Sequence, residues 1–369
     1  MESFSIPLLQ IALGLVLLVT GANWLVRGAS RLALALGVAP LVVGLTVVAI
    51  GTSTPELSVS LGASWAGSPG IVLGNVIGSN IANILLILGL VALLFPLTAN
   101  RQLVRRDVPL MIAASLAVVL MTGNGVISRF EGLLLLAGAI GYICLLIRIA
   151  HRHPEQAPSS EVDESAKSSG HGWLQSLMLI VVGLALLAFG SKQLVAGATA
   201  LATAVGLSEL VIGLTVVAVG TSLPEITTAL VAAARGQRDL AVGNVVGSNL
   251  FNLLLVLGSA AALAPGGIEV SAFARAFDLP VMLSAAIVCL PIFFTEHRIA
   301  RWEGAVFLMY YVAYITYLLM QAGAHGALDQ LEFVMRWVVI PLTALTLSIS
   351  LIRALRNRAN RTQTELNPP

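Results

Sequence analysis

The amino-acid sequence predicts an all-α integral membrane protein with two inverted five-helix repeats, a ten-helix core, and an eleventh transmembrane helix at the C-terminus. Hydrophobic residues make up 57% of the 369 residues and charged residues only 10%, whereas about 25% of a soluble domain is charged. Apolar segments of about 20 to 25 residues recur, the helical length that crosses a hydrocarbon core of about 30 Å. The first half of the sequence is also repeated in the second.

Eleven apolar segments are predicted to span the membrane. They are approximately residues 6–26, 38–65, 70–95, 107–123, 130–149, 173–195, 207–234, 240–264, 276–294, 301–321 and 331–352. The first segment has no basic region before it and no small-residue cleavage pattern after it, so we interpret it as a retained span and not as a signal peptide.

Basic residues predict the orientation of the chain, because Lys and Arg are retained on the cytoplasmic side of short loops. With the N-terminus outside, 16 of the 20 Lys and Arg residues fall in inner loops or the C-terminal tail, Arg27, Arg31, Arg235 and Arg238 among them. The outer side has few, such as Lys192. We therefore expect a multi-pass protein of the plasma (inner) membrane, with the N-terminus outside and the C-terminus cytoplasmic.

One connection is long and polar, and it divides the chain. Residues 150–172 are rich in Pro, Ser and acidic residues, which is typical of a flexible cytoplasmic linker. The predicted organisation is a first repeat at 1–149, the linker at 150–172, a second repeat at 173–322, and an extra helix with a basic cytoplasmic tail at 323–369.

The two halves are copies. A shift of 169 positions aligns "GLTVVAIGTSTPEL" (44–57) with "GLTVVAVGTSLPEI" (213–226), and "GNVIGSNIANILLILG" (74–89) with "GNVVGSNLFNLLLVLG" (243–258). From Gly44 to Gly89, 25 of 46 positions are identical. Because five predicted spans separate corresponding points, the second copy would be inverted in the membrane. Inverted repeats are typical of secondary transporters, whose ion site lies near the bilayer midplane between discontinuous helices.

Each copy places a glutamate, Glu56 or Glu225, directly after a proline. The residues predicted to break the two helices are Gly51, Pro55, Gly220 and Pro224. Proline lacks an N–H and clashes with the carbonyl group four residues earlier, so the main-chain carbonyls released there become potential ligands. Since an ionised side chain at the bilayer centre costs about 3 kcal/mol, two facing glutamates indicate a cation or a proton between them.

Polar residues recur every four positions in the next span of each copy. They are Asn75, Ser79 and Asn83 in the first copy and Asn244, Ser248 and Asn252 in the second, with a GxxxG pattern beside them at Gly74, Gly78, Gly243 and Gly247. Such residues share one helical face, and the glycines would let that face approach the Glu-bearing helix. Taken singly, these residues also serve as hydrogen-bonding and packing groups between helices, and that role stays open.

Carboxylate, hydroxyl, amide and carbonyl oxygens together suit hard cations such as Ca²⁺ and Na⁺, and they do not suit zinc or copper. Glu56 and Glu225 are the predicted metal-binding residues. The chain has no H-E-x-x-H pattern and no nucleotide-binding loop, so an enzyme and an ATP-driven pump are not expected. No cofactor, nucleotide or nucleic-acid partner is predicted. The expected partners are the lipid bilayer and the transported ions.

The motifs "GTSTPE…GNVIGSNIAN" and "GTSLPE…GNVVGSNLFN" closely resemble the two alpha-repeats of the cation/calcium exchanger superfamily, in its prokaryotic sodium/calcium exchanger branch. The resemblance implies antiport of Ca²⁺ against Na⁺ by alternating access. It implies ligands at Ala49, Thr52, Glu56, Ser79 and Asn83, and at Ala218, Thr221, Glu225, Ser248 and Asn252. The alanines and threonines would act through their main-chain carbonyls. Some potassium-dependent relatives have an aspartate at one of the two asparagine positions, so the two asparagines here argue against potassium co-transport.

Two other functions compete with Na⁺/Ca²⁺ antiport. A calcium/proton exchanger could release Ca²⁺ when the two carboxylates take up protons. A cation channel would also need oxygen ligands within the membrane, although channels are commonly rings of like subunits around one axis, whereas an inverted duplication indicates alternating access at one site.

Overall fold

The computed structural model describes residues 2–98, 100, 102–152, 172–204, 218–294 and 298–322. The helices are α1 Glu2–Leu36, α2 Pro40–Thr52, α3 Thr54–Trp65, α4 Pro69–Leu94, α5 Val108–Met121, α6 Arg129–Arg152, α7 Gly172–Ala204, α8 Ala218–Thr221, α9 Leu223–Ala234, α10 Arg238–Leu263, α11 Leu279–Phe294 and α12 Arg301–Ala322. The strands are β1 Leu97–Thr98, β2 Val126–Ile127, β3 Ile268–Glu269 and β4 Arg298–Ile299. Turns of π-helix are Gly44–Val48 in α2, Ala82–Leu88 in α4, Leu103–Asp107 before α5, Asn252–Leu257 in α10 and Ala274–Asp278 before α11.

Six of the described helices, namely α1, α4, α6, α7, α10 and α12, are long and apolar enough to cross a membrane, and the bent pair α2 and α3 makes a seventh. Helices occupy each of the first ten predicted segments, although segment 207–234 is described only from Ala218 onward. The predicted eleventh span, 331–352, and most of the predicted linker lie outside the described residues.

Two helices are longer than the sequence predicts. The first and sixth predicted spans ended at residues 26 and 195, whereas α1 continues to Leu36 and α7 to Ala204. Arg27 and Arg31, which were expected in a loop, therefore lie in a helix, and Lys192, which was counted on the outer side, lies within α7. The reason is that α1 and α7 pack against each other along most of their length, so helical structure continues beyond the apolar segments.

Helices α1 and α7 are antiparallel and pack backbone to backbone through glycines. Gly14 contacts Gly190, Gly21 contacts Gly183, and farther along α1 a glycine meets the start of α7. A Cβ atom added to Gly21 would lie 2.7 Å from the Gly183 carbonyl oxygen. Since these glycines recur every seven residues, or two helical turns, they line one continuous face of each helix.

The centre of the molecule is formed by α4 and α10. Of the apolar windows in these helices, 78% of α4 and 94% of α10 is buried, compared with 22–28% for α1, α6, α7 and α12. Because lipid tails solvate apolar side chains, the less buried helices are suited to the lipid boundary and α4 and α10 to the protein interior.

Two short antiparallel sheets join the two halves of the chain. Strand β1 pairs with β4, with Leu97 opposite Ile299, and β2 pairs with β3, with Val126 opposite Glu269. Each sheet takes one strand from the first half and one from the second. The halves are therefore connected by main-chain hydrogen bonds at two separate places.

Candidate cation-binding site

Both Glu-bearing segments are interrupted next to their prolines. Ser53 separates α2 from α3, and the two helices are bent by 43°. Ser222 separates α8 from α9 in the same way. Pro55 and Pro224 lie in the first turn of α3 and α9, where a residue without an N–H group is tolerated because that group would have no partner within the helix.

The two interruptions place both glutamates at helix N-termini inside the protein. Glu56 lies in the first turn of α3 and Glu225 in the first turn of α9, and each is 1% exposed. The hydroxyl group of Ser53 donates to Glu225 Oε1 at 3.4 Å. Since Ser53 stands three residues before Glu56, this hydrogen bond joins the Glu56 segment to the carboxyl group of Glu225. The positive end of a helix dipole favours a carboxylate at each position.

Helix α4 is fixed against the Glu56 helix by Asn75. Its Nδ2 donates to the main-chain carbonyl of Glu56 at 2.9 Å and to the hydroxyl oxygen of Ser60 at 2.8 Å. The first residue of the polar stripe therefore connects the two helices, while Ser79 and Asn83 lie one and two turns farther along α4.

Contacts between the two repeats close around the same region. The hydroxyl oxygen of Thr52 lies 3.2 Å from Asn244 Oδ1 and 3.4 Å from the carbonyl oxygen of Ala49, the two acceptors within reach of its single proton. Asn83 Nδ2 donates to Asn249 Oδ1 at 3.0 Å. The α2–α3 segment and α4 of the first half thus both bond to α10 of the second half.

Turns of π-helix occur at both stripe asparagines. Asn83 lies in the turn Ala82–Leu88 and Asn252 begins the turn Asn252–Leu257. A π-turn widens the helix locally and is frequent at functional sites. The two turns occupy corresponding positions of the repeats, so the distortion is a property of both copies.

Several buried polar atoms here have no hydrogen-bond partner in the described part of the chain. They are Glu56 Oε2, Glu225 Oε2, Asn83 Oδ1, Ser222 Oγ, Asn244 Nδ2, Ser248 Oγ, and Asn252 Oδ1 and Nδ2. A buried polar group left unpaired costs about 1–3 kcal/mol. Most of these atoms are oxygens, which a bound hard cation would satisfy.

The predicted glycines have different surroundings in the two repeats. Gly243 and Gly247 pack against α2 of the first repeat, with a Cβ on Gly247 only 2.7 Å from Ala49 Cβ. For Gly74 and Gly78, an added Cβ would meet no described atom within 4 Å. The expected close approach of a glycine face to a Glu-bearing helix is thus observed for Gly243 and Gly247, which contact α2 of the opposite repeat. It is not observed for Gly74 and Gly78 among the described residues.

The glycines at the helix breaks both contact α7. A Cβ on Gly51 would lie 2.6 Å from Leu184 Cδ1, and one on Gly220 would lie 2.2 Å from Val195 Cγ2. The glycines thus allow α7 to pack on both interrupted segments. Of Ala218 only the main chain is described, as the first residue of α8.

The carbonyl of Gly220 corrects one expectation. Pro224 has no N–H to donate to it, so the carbonyl was expected to be free. The hydroxyl of Ser191 donates to that carbonyl at 2.6 Å instead. The corresponding residue of the first repeat is Ala22, which has no hydroxyl group. The Gly51 carbonyl of the first repeat therefore has no equivalent donor at that position.

The comparison with known proteins decides the family. Residues 6–148 and 175–320 match the family described as sodium/calcium exchanger protein. The chain belongs to the sodium/calcium exchanger family. It is a multi-pass membrane protein, and membership of an exchanger family agrees with the expectation of a transporter and not an enzyme.

Two relatives of this family member match most of its length. Sodium/calcium exchanger MaX1 of Methanosarcina acetivorans is 34% identical over 348 residues, which cover 85% of this chain and 99% of that protein. Inner membrane protein YrbG of Escherichia coli (strain K12) is 40% identical over 277 residues, which cover 74% of this chain and 85% of that protein.

Solved structures show the same fold. The structure of the sodium/calcium exchanger from Methanococcus jannaschii has a TM-score of 0.73 at 31% identity, covering 84% of this chain and 98% of that chain. The exchanger NCX_Mj soaked with 10 mM Na⁺ and 10 mM Sr²⁺ gives a TM-score of 0.73 at 32% identity, covering 85% and 98%. The resemblance to the prokaryotic branch of the superfamily is confirmed.

Sequence reasoning missed two groups of polar residues in this exchanger. Ser53 and Ser222 are buried at the two helix breaks, and their positions are related by the repeat offset of 169. The signal was available, since both serines are identical between the repeats and directly follow the Thr of each motif.

The second missed group is a pair of Asp–Tyr contacts. The Tyr142 hydroxyl lies 3.3 Å from Asp107 Oδ1, and the Tyr314 hydroxyl lies 3.0 Å from Asp278 Oδ1. Each aspartate ends a π-turn and stands two residues before a proline. The repeated D-x-P pattern could have revealed these carboxyl groups in addition to the two glutamates.

Proposed function

We propose that this protein exchanges Ca²⁺ for Na⁺ across the membrane by alternating access at the site around Glu56 and Glu225. The observation that carries the proposal is that each of these buried glutamates has a carboxylate oxygen without a partner among the described residues. Two neighbouring carboxylates repel each other unless a cation or proton lies between them. Their two charges balance one Ca²⁺ or two Na⁺, so both ions can compete for one site.

The remaining ligands of the proposed site are neutral oxygens. They are the side chains of Ser79, Asn83, Ser248 and Asn252, and the main-chain carbonyls of Ala49, Thr52, Ala218 and Thr221. The buried hydroxyls of Ser53 and Ser222 join this set. Ca²⁺ takes six to eight oxygen ligands, and a set drawn from both repeats is large enough to supply them.

The repeat relation supports alternating access. The helix breaks at Ser53 and Ser222 and the π-turns at Asn83 and Asn252 occur at corresponding positions, and each half contains an Asp–Tyr contact. We infer two inverted repeats at 1–149 and 173–322, the linker at 150–172, and an extra span with its basic tail at 323–369. In inverted repeats, exchanging the conformations of the two halves opens the site to the opposite side.

The N-terminus is placed outside, in the plasma (inner) membrane, by the distribution of basic residues. The strand pairs support the predicted number of spans between the paired loops, because each pair joins two loops that are predicted on the same side of the membrane, and they are equally compatible with either orientation.

A calcium/proton exchanger is the second candidate. The same two unpartnered carboxylates favour it, because protons could replace Na⁺ as the ions that compete with Ca²⁺.

The deciding experiment is Ca²⁺ uptake into proteoliposomes that contain the purified full-length protein. A Na⁺, H⁺ or K⁺ gradient is imposed in turn, with the membrane potential clamped. Uptake driven by the Na⁺ gradient alone supports the proposal, and uptake driven by the H⁺ gradient alone supports the second candidate. Uptake without any counter-ion gradient, at rates that follow the membrane potential, would indicate a channel and exclude both.

A further inference from the structure

We propose that the cluster Arg27, Arg31, Arg235 and Arg238 binds the phosphate of an anionic phospholipid headgroup. Arg27 and Arg31 lie on α1, Arg235 lies in the turn between α9 and α10 that is hydrogen-bonded to α1, and Arg238 begins α10. The inference concerns the lipid boundary of the protein and does not depend on which ions are exchanged.

Two side-chain hydrogen bonds hold the turn against α1. Arg235 donates from Nη2 to Asn23 Oδ1, and Ser30 donates from its hydroxyl to Gln237 Oε1 at 2.6 Å. Arg27 lies between Asn23 and Ser30 on α1. The turn is therefore fixed on both sides of Arg27, and the guanidinium of Arg235 is directed toward α1.

The charges of Arg27 and Arg235 interact, and no carboxylate of the described residues compensates them. Burial, followed by the charge of the neighbouring Arg27, lowers the pKa of the Arg235 guanidinium, and in the described part of the chain no carboxylate offsets this effect. Asp239 is the acidic residue next in sequence, and its carboxyl group interacts with Asn100. The two positive charges repel each other, and a bound anion would offset that repulsion.

The depth of the arginines in the membrane favours a lipid headgroup as the source of that anion. Trp24 is 38% exposed on α1 and Trp173 is 56% exposed at the start of α7. Gly28 packs against Ser176, so these two tryptophans lie near the level of Arg27 and Arg31. Exposed tryptophans mark the membrane–water interface, which is the depth of phospholipid phosphates. An arginine can bind such a phosphate through two parallel hydrogen bonds.

The other repeat shows that the fold does not require these arginines. By the offset of 169, the positions of Arg27, Arg31, Arg235 and Arg238 correspond to Ala196, Ala200, Ala66 and Pro69. The corresponding turn is otherwise alike, with a left-handed glycine at Gly67 (φ 68°) as at Gly236 (φ 75°). The same turn thus forms in the other copy without charged residues. The arginines are therefore not needed to form the turn, and they occur at only one of the two corresponding places.

The experiment measures thermal unfolding of the purified full-length protein in a neutral detergent, where membrane orientation has no influence. Three probes are titrated: a short-chain phosphatidylglycerol, a phosphatidylcholine with the same acyl chains, and inorganic phosphate. We expect phosphatidylglycerol to raise Tm at concentrations where the other two have no effect. Arg27→Gln and Arg235→Gln should each raise the half-effective phosphatidylglycerol concentration about fivefold, since one arginine near an anionic lipid contributes about 1 kcal/mol.

The controls separate this site from general charge effects. Arg148→Gln removes an exposed arginine from α6 and should leave the phosphatidylglycerol response unchanged. Arg235→Lys keeps the charge but loses the paired hydrogen bonds, so its response should lie between those of the wild type and Arg235→Gln. Arg31→Gln replaces Arg27→Gln if that variant does not fold. Equal responses to both lipids, or equal responses of the wild type and the glutamine variants, would overturn the proposal. An equal effect of inorganic phosphate would also overturn it and would assign the cluster to the free anion.

Discussion

Asn83 Nδ2 donates a hydrogen bond of 3.0 Å to Asn249 Oδ1, whereas Asn252, the counterpart of Asn83 in the second repeat, has no partner for either polar atom among the described residues. The two asparagines therefore differ although their positions correspond. Asn83 is held by a protein neighbour, and Asn252 keeps its whole amide group available to a ligand.

The first prediction concerns Asn252. Asn252→Asp would add a third carboxyl group to the proposed site that contains Glu56 and Glu225, and because like charges raise each other's pKa in a buried site, the variant should bind an additional proton or monovalent cation. We expect Ca²⁺ transport that depends more strongly on pH or responds to K⁺, while Asn252→Leu should only weaken Ca²⁺ binding. Ca²⁺ flux is measured against pH with and without K⁺. Ca²⁺ affinity, pH profile and K⁺ response unchanged from the wild type in both variants would show that Asn252 is not a ligand of the transported ions.

The second prediction concerns the carboxylates. Glu56→Gln or Glu225→Gln should abolish Ca²⁺ transport coupled to a counter-ion, because each change removes one of the two charges that balance Ca²⁺. The protein should still be inserted and folded, since an amide fits the same volume. Counter-ion-driven Ca²⁺ flux in liposomes is the measurement, and Glu269→Gln, which alters an exposed carboxyl group on β3, is the matched control. Near wild-type exchange by either site variant would show that the ligand assignment is wrong.

The third prediction concerns Ser191. Ser191→Ala removes the donor to the Gly220 carbonyl, so a buried carbonyl would lose its partner and the free energy of unfolding should fall by about 1–3 kcal/mol. Denaturation in detergent, compared between variant and wild type, tests this. Ser58→Ala removes a hydroxyl that bonds the Thr54 carbonyl on an exposed surface, and its effect should stay within about 0.5 kcal/mol. Equal effects would mean that the Ser191 bond is not needed at the break.

The fourth prediction concerns the glycine contact of α1 and α7. A Cβ on Gly21 would lie 2.7 Å from the Gly183 carbonyl, and the clash should lower the free energy of unfolding of Gly21→Ala by about 1–3 kcal/mol. Gly62→Ala has no neighbour within 4 Å among the described residues and should be neutral or stabilising by about 0.5–1 kcal/mol. If both variants unfold alike, the two helices tolerate a wider separation than the structure shows.

The fifth prediction concerns orientation. In a background without Cys144 and Cys289, a Ser68→Cys or Ala324→Cys variant should react with a membrane-impermeant thiol reagent added to intact cells, because the distribution of basic residues places both positions outside. Ser165→Cys should stay unlabelled until the cells are opened. Labelling of Ser165→Cys in sealed cells would reverse the orientation.

The family and the helical segments could be predicted from the sequence because apolar length and the internal repeat are strong, redundant signals. The C-terminal ends of α1 and α7 could not be predicted, because helical structure there depends on contact between the two chain halves. Hydropathy near Arg27 and Lys192 carries no information about that contact.

The candidate site was predictable where both copies carry the same residue. The glutamates and the polar stripe are identical in the two copies. Ser53 and Ser222 are also identical, so the repeat alignment could have identified them. Ser191 did not, because its counterpart is alanine and its role arises only when α7 packs on the broken segment. Differences between the copies thus required the structure.

The two short sheets have a consequence for how the chain is held together. Each sheet takes one strand from each half, and α1 of the first half packs on α7 of the second. The segment between Arg152 and Gly172 is therefore one connection among several. Because strand pairs and helix packing join the halves independently of that segment, the halves resemble two subunits of a dimer joined in one chain.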